Sequence, residues 1–143
     1  MKESITGNSR RAAPAATINV RNLRLRTYIG FNPEERAKKQ DVVIQIEIVY
    51  TMPAEVLEDQ VDGALNYRTI TKQVIERVEN GRFLLLEKLV ADVLEECSAH
   101  PDVQRARVTI EKPHALRFAD SVSLTLEYRA EAAETLRLLE KAS

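Results

Sequence analysis

The segment that decides the fold is residues 42–50, with the sequence VVIQIEIVY. Every second residue from Val42 onward is apolar, whereas Gln45 and Glu47 fall on the other side. This two-residue period is typical of a β-strand with one covered face and one polar face. Because strands in parallel sheets are usually apolar on both faces, the pattern favours an antiparallel sheet.

Three further segments show the same period. Residues 106–110 and 122–128 alternate without interruption. Residues 18–29 alternate as well, but their apolar phase changes in the middle, which predicts a bend or a bulge near Asn22. The sequence therefore predicts four strands.

Two helices are predicted between the second and third strands. The first begins after Asn66, whose side chain is a good N-cap, and stops at Gly81. The second has apolar residues at helical spacing across residues 85–97 and ends before Pro101. The predicted class is therefore α+β, with an antiparallel four-stranded sheet, a helix hairpin on one face and the order ββααββ.

Length and composition indicate a single domain. The chain has 143 residues, of which 44% are hydrophobic, enough for one core. We expect the domain to span residues 17–129, between a flexible, polar extension at 1–16 and a C-terminal extension at 130–143 that can form a short helix. With 21 basic and 22 acidic residues, the chain lacks the basic excess typical of nucleic-acid-binding proteins.

The distribution of apolar residues predicts a cytoplasmic protein with no membrane partner. No apolar run of membrane length is present, and the N-terminal stretch has no continuous apolar segment like that of a signal peptide. The single cysteine, Cys97, falls on the apolar side of the second helix. We therefore expect it to be a small buried hydrophobic residue and not a nucleophile.

Four residues with acid, base or hydrogen-bonding chemistry stand at the ends of predicted elements. They are Glu35, Tyr67, Glu87 and Lys112. From the residues alone, each also has a structural interpretation: an exposed glutamate, a strand-end lysine in solvent, or a buried tyrosine with a satisfied hydroxyl. Glu34 carries the same chemistry as its neighbour Glu35, so the choice between them stays open.

The segments around these four residues resemble the dihydroneopterin aldolase and epimerase family, which has the tunnelling fold. The matching segments are GFNPEE at 30–35, LNYRT at 65–69, LLEKL at 85–89 and EKPHALR at 111–117. The resemblance extends from about residue 18 to residue 128. Residues 22–27, 65–69 and 114–122 resemble the epimerase branch more than the biosynthetic aldolase.

The resemblance implies a set of site residues. The implied catalytic residues are Lys112, Tyr67 and Glu35. The implied substrate-binding residues are Glu87, Leu86, Arg117 and His114. A carboxylate can accept the two adjacent N–H groups of a pterin edge, which suits Glu87, and basic groups can hold phosphates, a role for which Arg68 and Arg24 are further candidates.

The implied reaction is epimerisation at C2' of 7,8-dihydroneopterin triphosphate to 7,8-dihydromonapterin triphosphate by retro-aldol and aldol steps. Weaker aldolase activity on dihydroneopterin would accompany it. Because the pterin ring itself can store the electron pair, we expect no metal and no cofactor. The alternatives are the dihydroneopterin aldolase of folate biosynthesis, a noncatalytic pterin-binding module and a small nucleic-acid-binding domain, the last disfavoured by the charge balance.

The predicted sheet leaves unpaired edges, which suggests that subunits assemble. The resemblance implies a ring of four subunits that closes a barrel, and two stacked rings that form a homo-octamer. It also implies active sites between neighbouring subunits, with Tyr67 from one chain and Glu87 and Lys112 from the next. The expected partner is a small pterin substrate, with no nucleic acid.

Overall fold

A computed structural model describes residues 14–142. In this part of the chain, the long strands and the two helices between them follow the predicted order ββααββ. Two short helices, a two-residue strand and a C-terminal helix are additional. The elements are β1 (Ala15–Ile29), α1 (Pro33–Ala37), β2 (Gln40–Thr51), α2 (Ala54–Leu57), α3 (Tyr67–Glu79), β3 (Arg82–Phe83), α4 (Leu86–Ser98), β4 (Val103–Pro113), β5 (Ser121–Arg129) and α5 (Ala130–Ala142).

The sheet has the order β3-β1-β2-β4-β5. The four long strands are antiparallel to their neighbours, as predicted. The prediction of a four-stranded, purely antiparallel sheet is nevertheless wrong, because β3 adds a fifth, parallel strand through Tyr28↔Arg82 and Ile29↔Phe83. The Arg82 guanidinium also stacks over the Tyr28 ring, 3.9 Å from its centroid. A pairing of two residues is too short to show any period in the sequence.

The predicted irregularity of β1 is a β-bulge. Val20 pairs with Ile46 and Leu23 pairs with Ile44, so that two residues of β1 lie opposite Gln45 alone. Asn22 takes a left-handed conformation with φ 55°. Its backbone N–H donates to Gln45 Oε1 at 2.9 Å, and Gln45 Nε2 donates to Asn22 Oδ1 at 2.6 Å. The bulge explains the change of apolar phase in the sequence.

Helices α3 and α4 cover the apolar face of the sheet. The side chain of Asn66 accepts a hydrogen bond from the backbone N–H of Thr69 at 3.1 Å, which confirms the predicted N-cap of α3. Cys97 is fully buried, and this burial raises the pKa of its thiol to about 12. It is therefore a packing residue, as predicted. Thr27 is buried too, and its hydroxyl donates to the Val78 carbonyl at 2.6 Å, tying β1 to the end of α3.

The terminal segments extend beyond the predicted domain. Of the predicted N-terminal extension at 1–16, residues 1–13 lie outside the described residues, and Ala15 already belongs to β1. Helix α5 occupies most of the predicted C-terminal extension, and its side chains remain largely exposed. Within residues 14–142, no helix is long and apolar enough to cross a membrane.

The left-handed conformation of Asn22 predicts that alanine at this position is less stable than glycine, the reverse of the usual order in a strand. At an ordinary strand position alanine is more stable than glycine, but at φ 55° the alanine Cβ is strained. We therefore expect Asn22→Ala to be less stable than Asn22→Gly by about 1 kcal/mol, measured as the free energy of unfolding in urea. The control pair is Thr17→Ala and Thr17→Gly in the same strand, where alanine should be the more stable. The same order at both positions would contradict the prediction.

Candidate active site

Several chain ends meet at one end of the sheet. Gln40 at the start of β2 pairs with Thr27 near the end of β1, and Pro113 at the end of β4 pairs with Ser121 at the start of β5. Strand β3 ends beside β1, where the backbone N–H of Gly30 donates to the Phe83 carbonyl at 2.9 Å. The loops that carry most of the predicted site residues therefore lie at this end.

Glu35 and Lys112 form the centre of the candidate site. Lys112 Nζ donates to Glu35 Oε2 at 2.8 Å, and the two side chains are 13% and 24% exposed. Glu35 is held by helix α1, in which Asn32 Oδ1 accepts a hydrogen bond from the Glu35 N–H at 2.9 Å and Pro33 occupies the first turn. The structure thus selects Glu35, and not Glu34, as the partner of Lys112.

Gly30 makes room for the Glu35 carboxylate. Its φ is +127°, a conformation that side chains rarely adopt. A Cβ atom at this position would also lie 2.1 Å from Glu35 Cδ. The glycine is therefore required twice, once for the backbone and once for the space that the carboxylate occupies.

Electrostatics keep Glu35 ionised. The hydrogen bond from Lys112 is the main cause that holds the pKa of Glu35 below its usual value, and partial burial opposes it. The Lys112 charge and hydrogen bonds from Asn32 and Gln40 act in the same lowering direction. At neutral pH the site therefore presents a carboxylate and an ammonium group in direct contact.

Gln40 belongs to the site although no sequence argument selected it. Its side-chain amide donates to the Ile29 carbonyl and also contributes a hydrogen bond to Glu35. The signal in the sequence was weak, because a polar residue at the first position of a strand is usually a solvated end. Only the pairing of β1 with β2 shows that this position faces the Glu35 loop.

The two residues predicted to hold the pterin ring lie in the first turn of α4. Glu87 is exposed, and no side chain within residues 14–142 forms a hydrogen bond or an ion pair with it. Leu86 is half-buried and packs against the core. Because α4 follows β3, which pairs with β1 beside Gly30, this turn lies at the same end of the sheet as Lys112.

His114 and Arg117 lie in the loop between β4 and β5. His114 has φ 62°, and its backbone N–H donates to the Asp120 carbonyl at 3.4 Å, which closes the loop. The Arg117 guanidinium is exposed and lies 5.4 Å from the centroid of the Phe118 ring. Both residues follow Lys112 closely in the chain, so they stand at the rim of the same site.

Tyr67 lies apart from the other candidates. It begins α3, is 52% exposed and shares a cleft with residues 19–21 of β1. Through Val43, Arg24 of β1 lies level with Glu111, the neighbour of Lys112. Val20 and Lys112 are therefore roughly 15 Å apart along the strands, and they are also two strands apart across the sheet. Within one chain, the structure does not bring Tyr67 to Lys112.

A metal centre has no basis in the part of the chain that the structure covers. Across residues 14–142, no three histidine, cysteine, aspartate or glutamate side chains are grouped so that they could hold a metal ion.

Comparison with known proteins identifies the family of this chain. The family model described as "Dihydroneopterin aldolase" (FolB) matches residues 18–127, from the first strand to the last. The chain belongs to the dihydroneopterin aldolase family. This confirms the resemblance inferred from the sequence motifs.

Relatives within the family differ in their similarity to this chain. The dihydroneopterin triphosphate 2'-epimerase of Escherichia coli K12 is 51% identical over 82% of this chain and 98% of its own length. The protein of the same name from Pseudomonas aeruginosa is 50% identical over 78% of this chain and 90% of its own length. The crystal structure of E. coli dihydroneopterin aldolase in complex with neopterin is 27% identical, covers 79% of this chain and 98% of its own, and has a TM-score of 0.72.

The contact between Gly30 and Glu35 predicts that Gly30→Ala destabilises the protein more when Glu35 is present than when it is absent. Gly30→Ala must displace the Glu35 carboxylate and leave the largely buried Lys112 ammonium without its partner. Gly63→Ala is the matched control, because φ is +82° there but the new Cβ would lie 3.6 Å from its nearest neighbour. We expect Gly30→Ala to lower the free energy of unfolding by about 2 kcal/mol more than Gly63→Ala does. In a Glu35→Ala background this excess should disappear, and an excess that persists there would contradict the assignment.

Proposed function

We propose that this protein catalyses the epimerisation of 7,8-dihydroneopterin triphosphate at C2' to give 7,8-dihydromonapterin triphosphate. The observation that carries the proposal is the 51% identity with the E. coli epimerase across nearly its whole length, against 27% with the E. coli aldolase structure. The contact between Glu35 and Lys112 supplies a carboxylate and an ammonium group for the proton transfers that this reaction needs.

The proposed reaction begins with the transfer of the 2'-hydroxyl proton, through a water molecule, to the ion pair of Glu35 and Lys112, in which the carboxylate can take up a proton and the ammonium group can give one to N5. The C1'–C2' bond then breaks, its electron pair moves into the C=N bond of the pterin ring, and N5 takes up a proton. The products of this step are an aldehyde fragment that carries the triphosphate and an electron-rich pterin. If the fragment stays bound, turns its opposite face to C1' and is added back, the configuration at C2' is inverted.

The side chains have distinct proposed roles. Lys112 transfers protons at the reacting atoms, directly or through a water molecule, and Glu35 holds it in position. Glu87, which has no partner among the described residues, accepts the N–H groups of the pterin edge beside Leu86.

Tyr67 is proposed to act in the site of a neighbouring subunit, where it assists proton transfer at the side-chain hydroxyls. Two observations support this. Tyr67 is too far from Lys112 within one chain, and the sheet has free edges in the described residues, along β5 and along the part of β1 before Tyr28. Pairing between such edges would close a ring. We propose a ring of four subunits, and two stacked rings that form an octamer.

His114 and Arg117 are proposed to contact the substrate from the rim of the site. Both stand in the loop that follows Lys112, and both are exposed. An arginine and a protonated histidine can donate charge-assisted hydrogen bonds to phosphate oxygens. Contacts of this kind would help to retain the fragment between cleavage and re-addition, and retention separates an epimerase from an aldolase.

Product analysis with and without Lys112 tests the proposal. The purified protein is incubated separately with dihydroneopterin triphosphate and with dihydroneopterin, and the oxidised, dephosphorylated pterins are separated by chromatography. We expect monapterin chiefly from the triphosphate. Lys112→Ala should lower this turnover by at least about 100-fold, because it removes the proton-transfer group, and should retain pterin binding measured by fluorescence.

The other outcomes identify the alternatives. Release of 6-hydroxymethylpterin from dihydroneopterin as the main reaction would indicate an aldolase. Binding of pterin without any product would indicate a noncatalytic module. Turnover near the wild-type rate in Lys112→Ala would contradict the proposed mechanism.

A mixed assembly tests whether the site is shared between subunits. Tyr67→Phe and Lys112→Ala chains, each expected to be nearly inactive alone, are co-expressed with different tags and purified through both. If each site takes Tyr67 from one chain and Lys112 from its neighbour, random mixing restores about a quarter of the wild-type sites. Activity no higher than that of the two variants separately would contradict a shared site.

A further inference from the structure

Tyr67 stands in a cleft whose charged groups are mostly basic. The cleft runs between the first turns of α3 and the bulged part of β1. The half-buried Val20 and Ile75 form its apolar floor. At its exposed rim are three cations, Arg21, Arg68 and Lys72, and a single carboxylate, Glu76.

These cations are not neutralised in the part of the chain that the structure describes. Across residues 14–142, Arg21, Arg68 and Lys72 form no ion pair, whereas several other basic residues do. The paired residues include Arg26 with Asp41, Arg107 with Glu127, Lys88 with Asp92, Lys112 with Glu35, and Arg77 with three carboxylates of α4. The cleft therefore keeps an excess of positive charge.

The local structure brings the three cations together at a cost. Arg68 and Lys72 are four residues apart in α3, so they lie on the same side of the helix, where like charges repel. The β-bulge adds Arg21 beside them. The one carboxylate of the cleft, Glu76, forms no ion pair with these three cations in the described residues, so all three are free to bind an anionic ligand.

We propose that this cleft binds the triphosphate of the substrate. This inference rests on the proposed function and deepens it. With Tyr67 at the side-chain hydroxyls of a substrate whose ring is held by the neighbouring subunit, the phosphates on C3' come next along the substrate. Arg68 and Lys72 come next along α3, and the spacing of about 5–6 Å between residues four apart on a helix suits the first and last phosphates of one triphosphate.

The subsite gives the two sides of the site separate tasks. One subunit holds the ring and transfers protons through Glu87 and Lys112. The other holds the triphosphate-bearing fragment through Arg21, Arg68 and Lys72. After the C1'–C2' bond breaks, the fragment stays bound to the second subunit, which gives it time to turn and be added back. Dihydroneopterin leaves a neutral fragment that the cleft does not retain.

The test compares two double variants that each remove two cations at i, i+4 from an exposed helix. Arg68→Gln/Lys72→Gln removes them from the cleft, and Arg137→Gln/Lys141→Gln removes them from α5. For the cleft variant we expect the KM for dihydroneopterin triphosphate to rise about tenfold more than the KM for dihydroneopterin. For the α5 variant the ratio of the two KM values should stay within about twofold of wild type.

Two further readouts separate anion binding from a structural effect. Inorganic tripolyphosphate should compete with the triphosphate substrate in wild type, and its inhibition constant should rise about tenfold in the cleft variant. The cleft variant should also release a larger share of 6-hydroxymethylpterin from the triphosphate, because the fragment escapes before re-addition.

The outcomes distinguish this inference from the proposed function. If wild type turns over the triphosphate but the cleft variant keeps the wild-type KM ratio and tripolyphosphate inhibition, the subsite is wrong. If these effects appear in His114→Gln/Arg117→Gln and are absent from the cleft variant, the β4–β5 loop holds the phosphates without the cleft, and the subsite is again wrong. If wild type does not epimerise the triphosphate, the proposed function fails. Calorimetry then tests the subsite separately. Weaker binding of tripolyphosphate by the cleft variant than by wild type would support the subsite, and equal binding would overturn it.

Discussion

The structure depends on one constraint, which is that the sheet has a single apolar face and that α3 and α4 cover it. Burial of this face supplies the core, and it fixes which side chains point toward the helices and which point away. Because both helices lie between β2 and β4 in the chain, their hairpin returns along the outer edge of β1. There it contributes the short strand β3 and places the first turn of α4 beside Gly30.

The same constraint explains the composition of the site. The side chains of the candidate active site stand where strands end, since that is where polar groups can approach one another without interrupting the core. The ion pair between Glu35 and Lys112 spans two such ends, and its lowered exposure strengthens the attraction between the charges. The position of Glu35 depends on the space beside Gly30, on the N-cap Asn32 and on a hydrogen bond from the Gln40 amide.

An epimerase and an aldolase of this family would share the bond-breaking step and differ in the fate of the fragment. We propose that the Glu35–Lys112 pair acts in the bond-breaking step and that the basic cleft beside Tyr67 decides the fate of the fragment. These two features lie at opposite ends of the helix-covered face of one chain. An assembly that joins the free edge of β1 in one chain to the free edge of β5 in the next would bring the basic cleft of the first chain next to the Glu35–Lys112 pair of the second.

The sequence by itself determined the elements whose signals are local. Alternation gave the four long strands and the bulge at Asn22, an asparagine marked the start of α3, and an apolar helix face placed Cys97 in the core. Tertiary structure alone decided the features that depend on which segments meet. Strand β3 exists because the hairpin passes the edge of β1, and no period can appear in two residues. Glu35, and not Glu34, is selected by its contact with Lys112 of β4, and Gln40 reaches Glu35 because β2 begins beside the end of β1. Tyr67 is separated from Lys112 because α3 begins beside Val20, in the cleft-bearing part of β1, and not at the end that leads to Gly30. Contacts of this kind join residues that are distant in the chain, so they leave no trace in local spacing.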